Sequence, residues 1–522
     1  MSENRSYTEC SVNGICSIDN AISSLHEIVL LHIKNLAFYI LKLKEYGITN
    51  DLIRDDITKI LYGIFINAAY SESEYKNIIL KLDKYSSQSL FLYEKYCREN
   101  GIEIEKPNKK LKKTYKLADA IKDGEKKSLK KYKSLTPEQK NTYEIIYFLC
   151  RSITVKLIEL QRLGVDCKDA YYSVLSIMNA CELNGFCFDN IREIFEQSID
   201  VYHELIKLIF ATEKKLFGKI QEADVDMSTF EGKSILVSGS DLKALQSILE
   251  LTKGTSINVY THGFDMLVAH TMPELSKYEN LKGHFSSDRH NYIADFSIFR
   301  GPILMSRVYM ENVDFLYRGR LFSQDPYVSR GISKIVDGDF TPLIKATTQA
   351  FGFKKYNKRK FLHAGFDEDK ILKYTDEILE KVKSGRIKNL YVIGICNCEQ
   401  SNEYYKTLLE NLPERSFAFS FSYDKSAENI YHINSYYDGR IFLKIFRNIE
   451  EYKDKNISVF MTQGDRYTVA NLLLVKKLGF KHVFSDNFPD NIIAPHTKQI
   501  LETKFDINFV TDAKSDIAKT MC

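Results

Sequence analysis

The feature that most constrains this chain is a change of hydrophobic period at Gly232. Before it, apolar residues recur every three or four positions. From Asp19 to Tyr46, Ile22, Leu25, Val29, Ile33, Leu36, Ile40 and Leu43 form one stripe that ends at Gly47, the spacing of a helix with one buried face. Glu138 to Leu163 repeats the pattern, and Ala170–Leu183 and Asn190–Phe210 read as two more helices. After Gly232 short apolar runs alternate with helical stretches: 234–237, helix 241–251, 257–260, then 302–305. The alternation resumes with helix 367–384, strand 390–394, helix 402–412, strands 417–421, 441–446 and 457–461, helix 469–478 and strand 482–484. Strand, helix, strand is the grammar of a parallel crossover unit. The expected architecture is therefore α+β and multidomain: a helical domain over 1–230, then two Rossmann-like α/β domains over 231–365 and 366–522.

Composition narrows the class. Hydrophobic residues at 44% and charged residues at 27% are ordinary globular values and argue against disorder or a fibrous array. Lys+Arg 73 against Asp+Glu 69 gives +4, which makes a nucleic-acid partner unexpected on whole-chain charge. The longest apolar run, Ile28 to Leu43, is broken by His32, Lys34, Asn35 and Lys42, so no membrane span or membrane partner is expected. The N-terminus shows no basic segment leading into an apolar stretch, and ten scattered cysteines form no disulfide framework, so reduced thiols and a cytoplasmic location are expected. A lysine-rich stretch, Lys106 to Lys133, holds 12 lysines in 28 residues and reads as a solvated face or connector.

In parallel sheets ligands bind at the carboxyl ends of strands, so the chemistry is sought at 238–241, 261–266, 306–309, 395–398, 422–425 and 462–466. Ile395-Cys-Asn-Cys398 is the richest tip, since a thiol of lowered pKa serves as metal ligand, nucleophile or redox partner. Thr261-His-Gly-Phe-Asp265 supplies an imidazole and a carboxylate, with His270 close behind, and Gln463-Gly-Asp465 adds another carboxylate. Ser238-Gly-Ser-Asp241 lacks the spacing and lysine of a nucleotide loop. Cys10 and Cys16 are at most half of the four thiolates that an iron–sulfur cluster wants. Cys97, Cys150, Cys181 and Cys187 fall in helical patterns and are read as core.

Several segments resemble the hybrid cluster protein (prismane) family, relatives of carbon monoxide dehydrogenase. Ile235–Leu242, Leu251–Gly263 and Ala269–Leu275 are similar to that family's SGHDL, QTxGxGINVYTHGEM and AHGYPEL. Gly301–Met305, Val382–Cys396, Leu472–Phe509, Cys10–Cys16 and Lys44–Ile48 match as well. The resemblance implies an N-terminal cubane cluster and an iron–sulfur–oxygen cluster that reduces hydroxylamine or nitric oxide. Position by position it also implies that most ligands are replaced. The family's SGHDL histidine falls on Ser240, and its THGEM glutamate on Phe264 or, with one inserted residue, on Asp265. Two of its cysteines fall on Tyr309 and Tyr423, a third has no counterpart, and the persulfide cysteine falls on Cys396. Its distal glutamate and lysine fall on Asp465 and Tyr467, and of the N-terminal motif only Cys10 and Cys16 remain.

A cluster needs soft sulfur donors, and the aligned cysteine count drops from four to one. The leading expectation is a non-catalytic homologue without cofactor, acting as a binding or regulatory protein with a protein partner or as a homo-oligomer. The alternative is an oxidoreductase with a remodelled centre. It would hold a single metal ion through Cys396, Cys398, Asp265, Asp465 and His262, or do thiol chemistry at Cys396 with Cys398; a further alternative is an Fe–S cluster bridged between two subunits by Cys10 and Cys16.

Overall fold

The structure, a computed structural model, describes residues 20–68, 70–107, 116–181, 187–286, 292–306, 316–328, 331–394, 402–421, 428–433, 439–452, 454–461, 468–487, 493 and 495–521. The chain forms two compact units, one of residues 1–205 and 307–337, the other of 206–306 and 338–522.

The first unit is helical: α1 (Asn20–Glu45), α2 (Asp51–Phe65), α3 (Glu72–Asn100), α4 (Leu117–Ser134), α5 (Pro137–Arg162), α6 (Lys168–Ala180) and the first part of α7 (Phe188–Phe217). Local sequence sets the helix starts. Asn50 accepts from the Ile53 amide, while Ser71 with Glu74 and Thr136 with Gln139 form reciprocal capping boxes, each satisfying amides that the helix itself leaves open. The α1 stripe is the core seam: Leu25, Ile28, Val29, Ile33, Leu36 and Leu43 are buried, and α1 packs against α3, α4 and α6. Among the described residues α1 is the one helix long and apolar enough to cross a membrane, and 67% of its apolar window is buried within the protein. Where α4 crosses it, Gly124 lets the backbones meet, since a Cβ there would lie 2.1 Å from the Ser24 carbonyl oxygen. Buried Asp325, in the returning segment, accepts from the Tyr62 hydroxyl at 3.1 Å and pairs with Arg162. Cys97, Cys150 and Cys181 are buried as expected, whereas Cys187, also read as core, is only half-buried because it stands just ahead of α7.

The second unit holds the strands β1 (Ala223–Asp226), β2 (Lys233–Ser238), β3 (Ile257–His262), β4 (Leu281–Ser286) and β5 (Ile303–Met305). β2 pairs in parallel with β3 on one side and β5 on the other, and β3 pairs in parallel with β4. The order therefore reverses between β2 and β5, with α8 (Leu242–Thr252) following β2. β6 (Leu321–Ser323) and β7 (Ser333–Lys334), from the first unit's returning segment, pair in parallel. β8 (Phe361–Ala364) closes an antiparallel ladder with β1. A second sheet, built wholly in this unit, comprises β9 (Asn389–Ile393), β10 (Ser416–Ser420), β11 (Ile430–His432), β12 (Asn456–Met461), β13 (His482–Ser485) and β14 (Ile507–Phe509). It is parallel throughout, in the order β11-β10-β9-β12-β13-β14. Its four inner strands are buried on both faces, while the edge strands β11 and β14 are partly exposed.

The mixed α/β class with an N-terminal helical region agrees with the sequence reading. One element differs: 441–446, read as a strand, falls on the helix Gly439–Ile445 and the turn that follows it. Its buried residues Ile441, Phe442, Ile445 and Phe446 recur at helical spacing, which a short apolar run does not separate from a strand pattern.

Candidate functional site

The first sheet places its chemistry at the carboxyl ends of β2, β3 and β5, beside the point where strand order reverses. β2 ends at Ser238 and turns through Gly239 and Ser240 into α8, whose N-cap Asp241 accepts from the Ala244 amide at 2.8 Å. Ser306, one residue past β5, closes this turn. Its amide donates to the Ser238 carbonyl at 3.0 Å, and its Oγ accepts from the amides of Ser240 at 2.9 Å and Asp241 at 3.0 Å. Gly239 sits at φ +108°, and a Cβ there would come within 2.0 Å of the Ser306 carbonyl oxygen. Only glycine meets both demands.

Beside it, β3 ends in Thr261 and His262, both buried. His262 Nδ1 lies 3.0 Å from Ser238 Oγ, and its Nε2 3.3 Å from an oxygen of Asp295 in the helix Tyr292–Ile298. The ring also packs edge-on against Phe296. Thr261 Oγ1 touches two further imidazoles, His270 Nε2 at 2.8 Å and His284 Nδ1 at 2.7 Å. Loss of hydration lowers the His270 pKa to about 4. Burial, with His270 and His262 nearby, puts His284 well below its ordinary value. Both rings are therefore neutral at pH 7.

Serine, histidine and aspartate in hydrogen-bonded sequence is the order of a nucleophilic triad. Here, however, the amides that would stabilise an oxyanion next to Ser238 are bonded to Ser306 Oγ, and Ser238 is only 7% exposed. The network orders the strand tips. It also engages both ring nitrogens of His262.

Of the residues singled out from sequence, Asp265 is described: it is half-buried in the short helix Phe264–Leu267 that follows β3. Cys10, Cys16, Cys396, Cys398 and Asp465 lie outside the described residues, as do Tyr309, Tyr423 and Tyr467. Ser240, at the family's histidine position, is described, and its amide belongs to the Ser306 hydroxyl. Sequence reasoning missed Asp295 and His284. Neither sits in a motif, and Asp295 is 33 residues from the ring it holds.

A hydroxylamine reductase of Thermodesulfovibrio yellowstonii is 24% identical over 97% of this chain and 97% of its own length. A hydroxylamine reductase of Acidithiobacillus ferrooxidans is 24% identical over 97% and 94%, and one of Acidiphilium cryptum is 29% identical over 58% of each chain. The family model described as Prismane/CO dehydrogenase family matches residues 5–417. The chain belongs to the Prismane/CO dehydrogenase family.

Proposed function

We propose that this chain keeps the family scaffold without the iron–sulfur–oxygen centre, and that it acts as a binding or regulatory protein rather than as a hydroxylamine or nitric oxide reductase. The observation that carries this reading is Ser240. A hydroxyl replaces an imidazole where the family supplies an iron ligand, and the surrounding amides are spent on Ser306 Oγ. Neutral hydroxyls hold iron poorly beside thiolate and imidazole, and the tyrosines at 309 and 423 remove two soft donors in the same alignment. The donor set does not fit the cluster.

A second reading, a remodelled metal or thiol centre at Cys396 and Cys398, is favoured by one feature: Cys396 stands where the family carries its persulfide cysteine. Purification without oxygen separates the two. The first reading expects protein without stoichiometric iron or acid-labile sulfide and without hydroxylamine reduction by reduced viologen. Stoichiometric iron and sulfide with turnover overturns it. One metal ion per chain, lost on Cys396→Ala, would establish the second reading instead.

A further inference from the structure

Between Asp339 and Asp367 the chain runs for 27 residues without a single carboxylate, while carrying Lys345, Lys354, Lys355, Lys358, Arg359 and Lys360. Three aromatic rings stand out of the same stretch: Phe351 at 86% exposure, Phe361 at 62% and Tyr356 at 51%. A single exposed ring is ordinary on a protein surface, but three within eleven residues, interleaved with cations and with no carboxylate among them, form a local patch of one chemical character.

The backbone that presents them is held in place. Gly352 donates to the Arg300 carbonyl at 3.0 Å. Phe353 and Asn357 form antiparallel bridges with Gly232 and Thr229, and Phe361 pairs with Asp226 in the β1–β8 ladder. Tyr356 leans on Phe230 at 5.2 Å between ring centres and donates to Ser228 Oγ at 3.5 Å. Arg359 serves as an anchor: it donates to the Phe285 carbonyl at 3.2 Å and lies 5.0 Å over that ring. The remaining cations point elsewhere. Lys354, Lys355, Lys358 and Lys360 are exposed, and no ion pair joins them to a carboxylate among the described residues.

We propose that segment 351–361 is a contact surface for single-stranded nucleic acid. Lysines on a backbone held by the bridges at Phe353 and Asn357 and by the β1–β8 ladder suit successive phosphates, and rings set between them suit stacked bases. A membrane surface is disfavoured by the same pattern. Phe351, Tyr356 and Phe361 are each separated by cations, and the segment has no amphipathic helix with a continuous apolar face. The whole-chain charge of +4 averages this local excess away. The inference does not depend on whether a cluster is bound, because its readout is oligonucleotide binding alone.

Fluorescence anisotropy of the full chain with a labelled oligo-dT strand of about 20 nucleotides tests it. If four lysines each neutralise a phosphate, the log–log salt slope is about −3, so affinity falls about fifty-fold between about 50 and about 200 mM salt. Charge reversal at Lys354, Lys355 and Lys358 to Glu should weaken binding at least about tenfold and flatten that slope. Phe351→Ala, at a side chain too exposed to matter for folding, should weaken binding about fivefold or more. No salt-dependent binding overturns the proposal, as do variants that bind like the parent. Binding to anionic phosphatidylserine vesicles that the oligonucleotide does not compete away overturns it in favour of a membrane.

Discussion

His26 gives the sharpest test of the packing argument. It lies in α1, 7% exposed, with Nε2 2.9 Å from the Tyr75 hydroxyl and 3.2 Å from the Ala68 carbonyl oxygen, under the rings of Tyr70 and Tyr75. Burial lowers its pKa from 6.5 to about 4, because the folded protein solvates an imidazolium poorly. Above pH 6.5 the ring is neutral folded and unfolded, so it costs nothing. As pH falls, the unfolded chain takes up the proton first and gains stability that the fold does not share. Each pH unit between the two pKa values is worth about 1.4 kcal/mol, so stability drops by about 2 kcal/mol at pH 5 and about 3 kcal/mol below pH 4. Chemical denaturation followed by helical circular dichroism, on the parent protein and on His26→Gln at pH 7.5 and 5, isolates this contribution, since His270 and His284 titrate in both. The parent should lose about 2 kcal/mol more than the variant over that interval. Equal losses would refute the reasoning.

Two further substitutions probe the scaffold. Gly239→Ala, at φ +108° with the Ser306 carbonyl 2.0 Å from the new methyl, should destabilise the second unit by about 2 kcal/mol or more, read as a lower denaturation midpoint at unchanged slope. Leu408→Ala, at a fully buried position in the cluster with Tyr391, Ile393, Phe460 and Phe484, should cost about 3 kcal/mol through lost burial and a residual cavity. A loss below about 1 kcal/mol would mean that the cluster collapses around the gap.

The helical half was legible because its period is long and unbroken. The stripe from Ile22 to Leu43 gave α1 to within a residue at each end, since one buried face over 26 residues leaves no competing reading. Short runs were less decisive. Ile257–Tyr260 and Ile457–Met461 are strands as their composition suggests, but Ile441–Ile445 lies in a helix, and a run of five apolar residues around Lys444 supports either period. The site was legible only as a set of strand tips. That Ser306 would supply a hydroxyl to two amides 65 and 66 residues earlier in the chain follows from β2 and β5 being neighbours. Sequence order does not reveal that adjacency. The acid-free segment after Asp339 was visible as letters, but its meaning came from exposure: Phe353 is half-buried while Phe351 stands in solvent.

The Thr261 hydroxyl carries one hydrogen and faces two imidazole nitrogens, His270 Nε2 and His284 Nδ1. At most one of them can receive that hydrogen, so the other ring must bring its own. The two tautomers are therefore coupled across a side chain that never changes charge: if one ring accepts from the hydroxyl, the other must donate to its oxygen. Replacing that threonine by valine would keep the shape of β3 while leaving two nitrogens facing a methyl group, so one small oxygen sets the proton arrangement of the whole strand end.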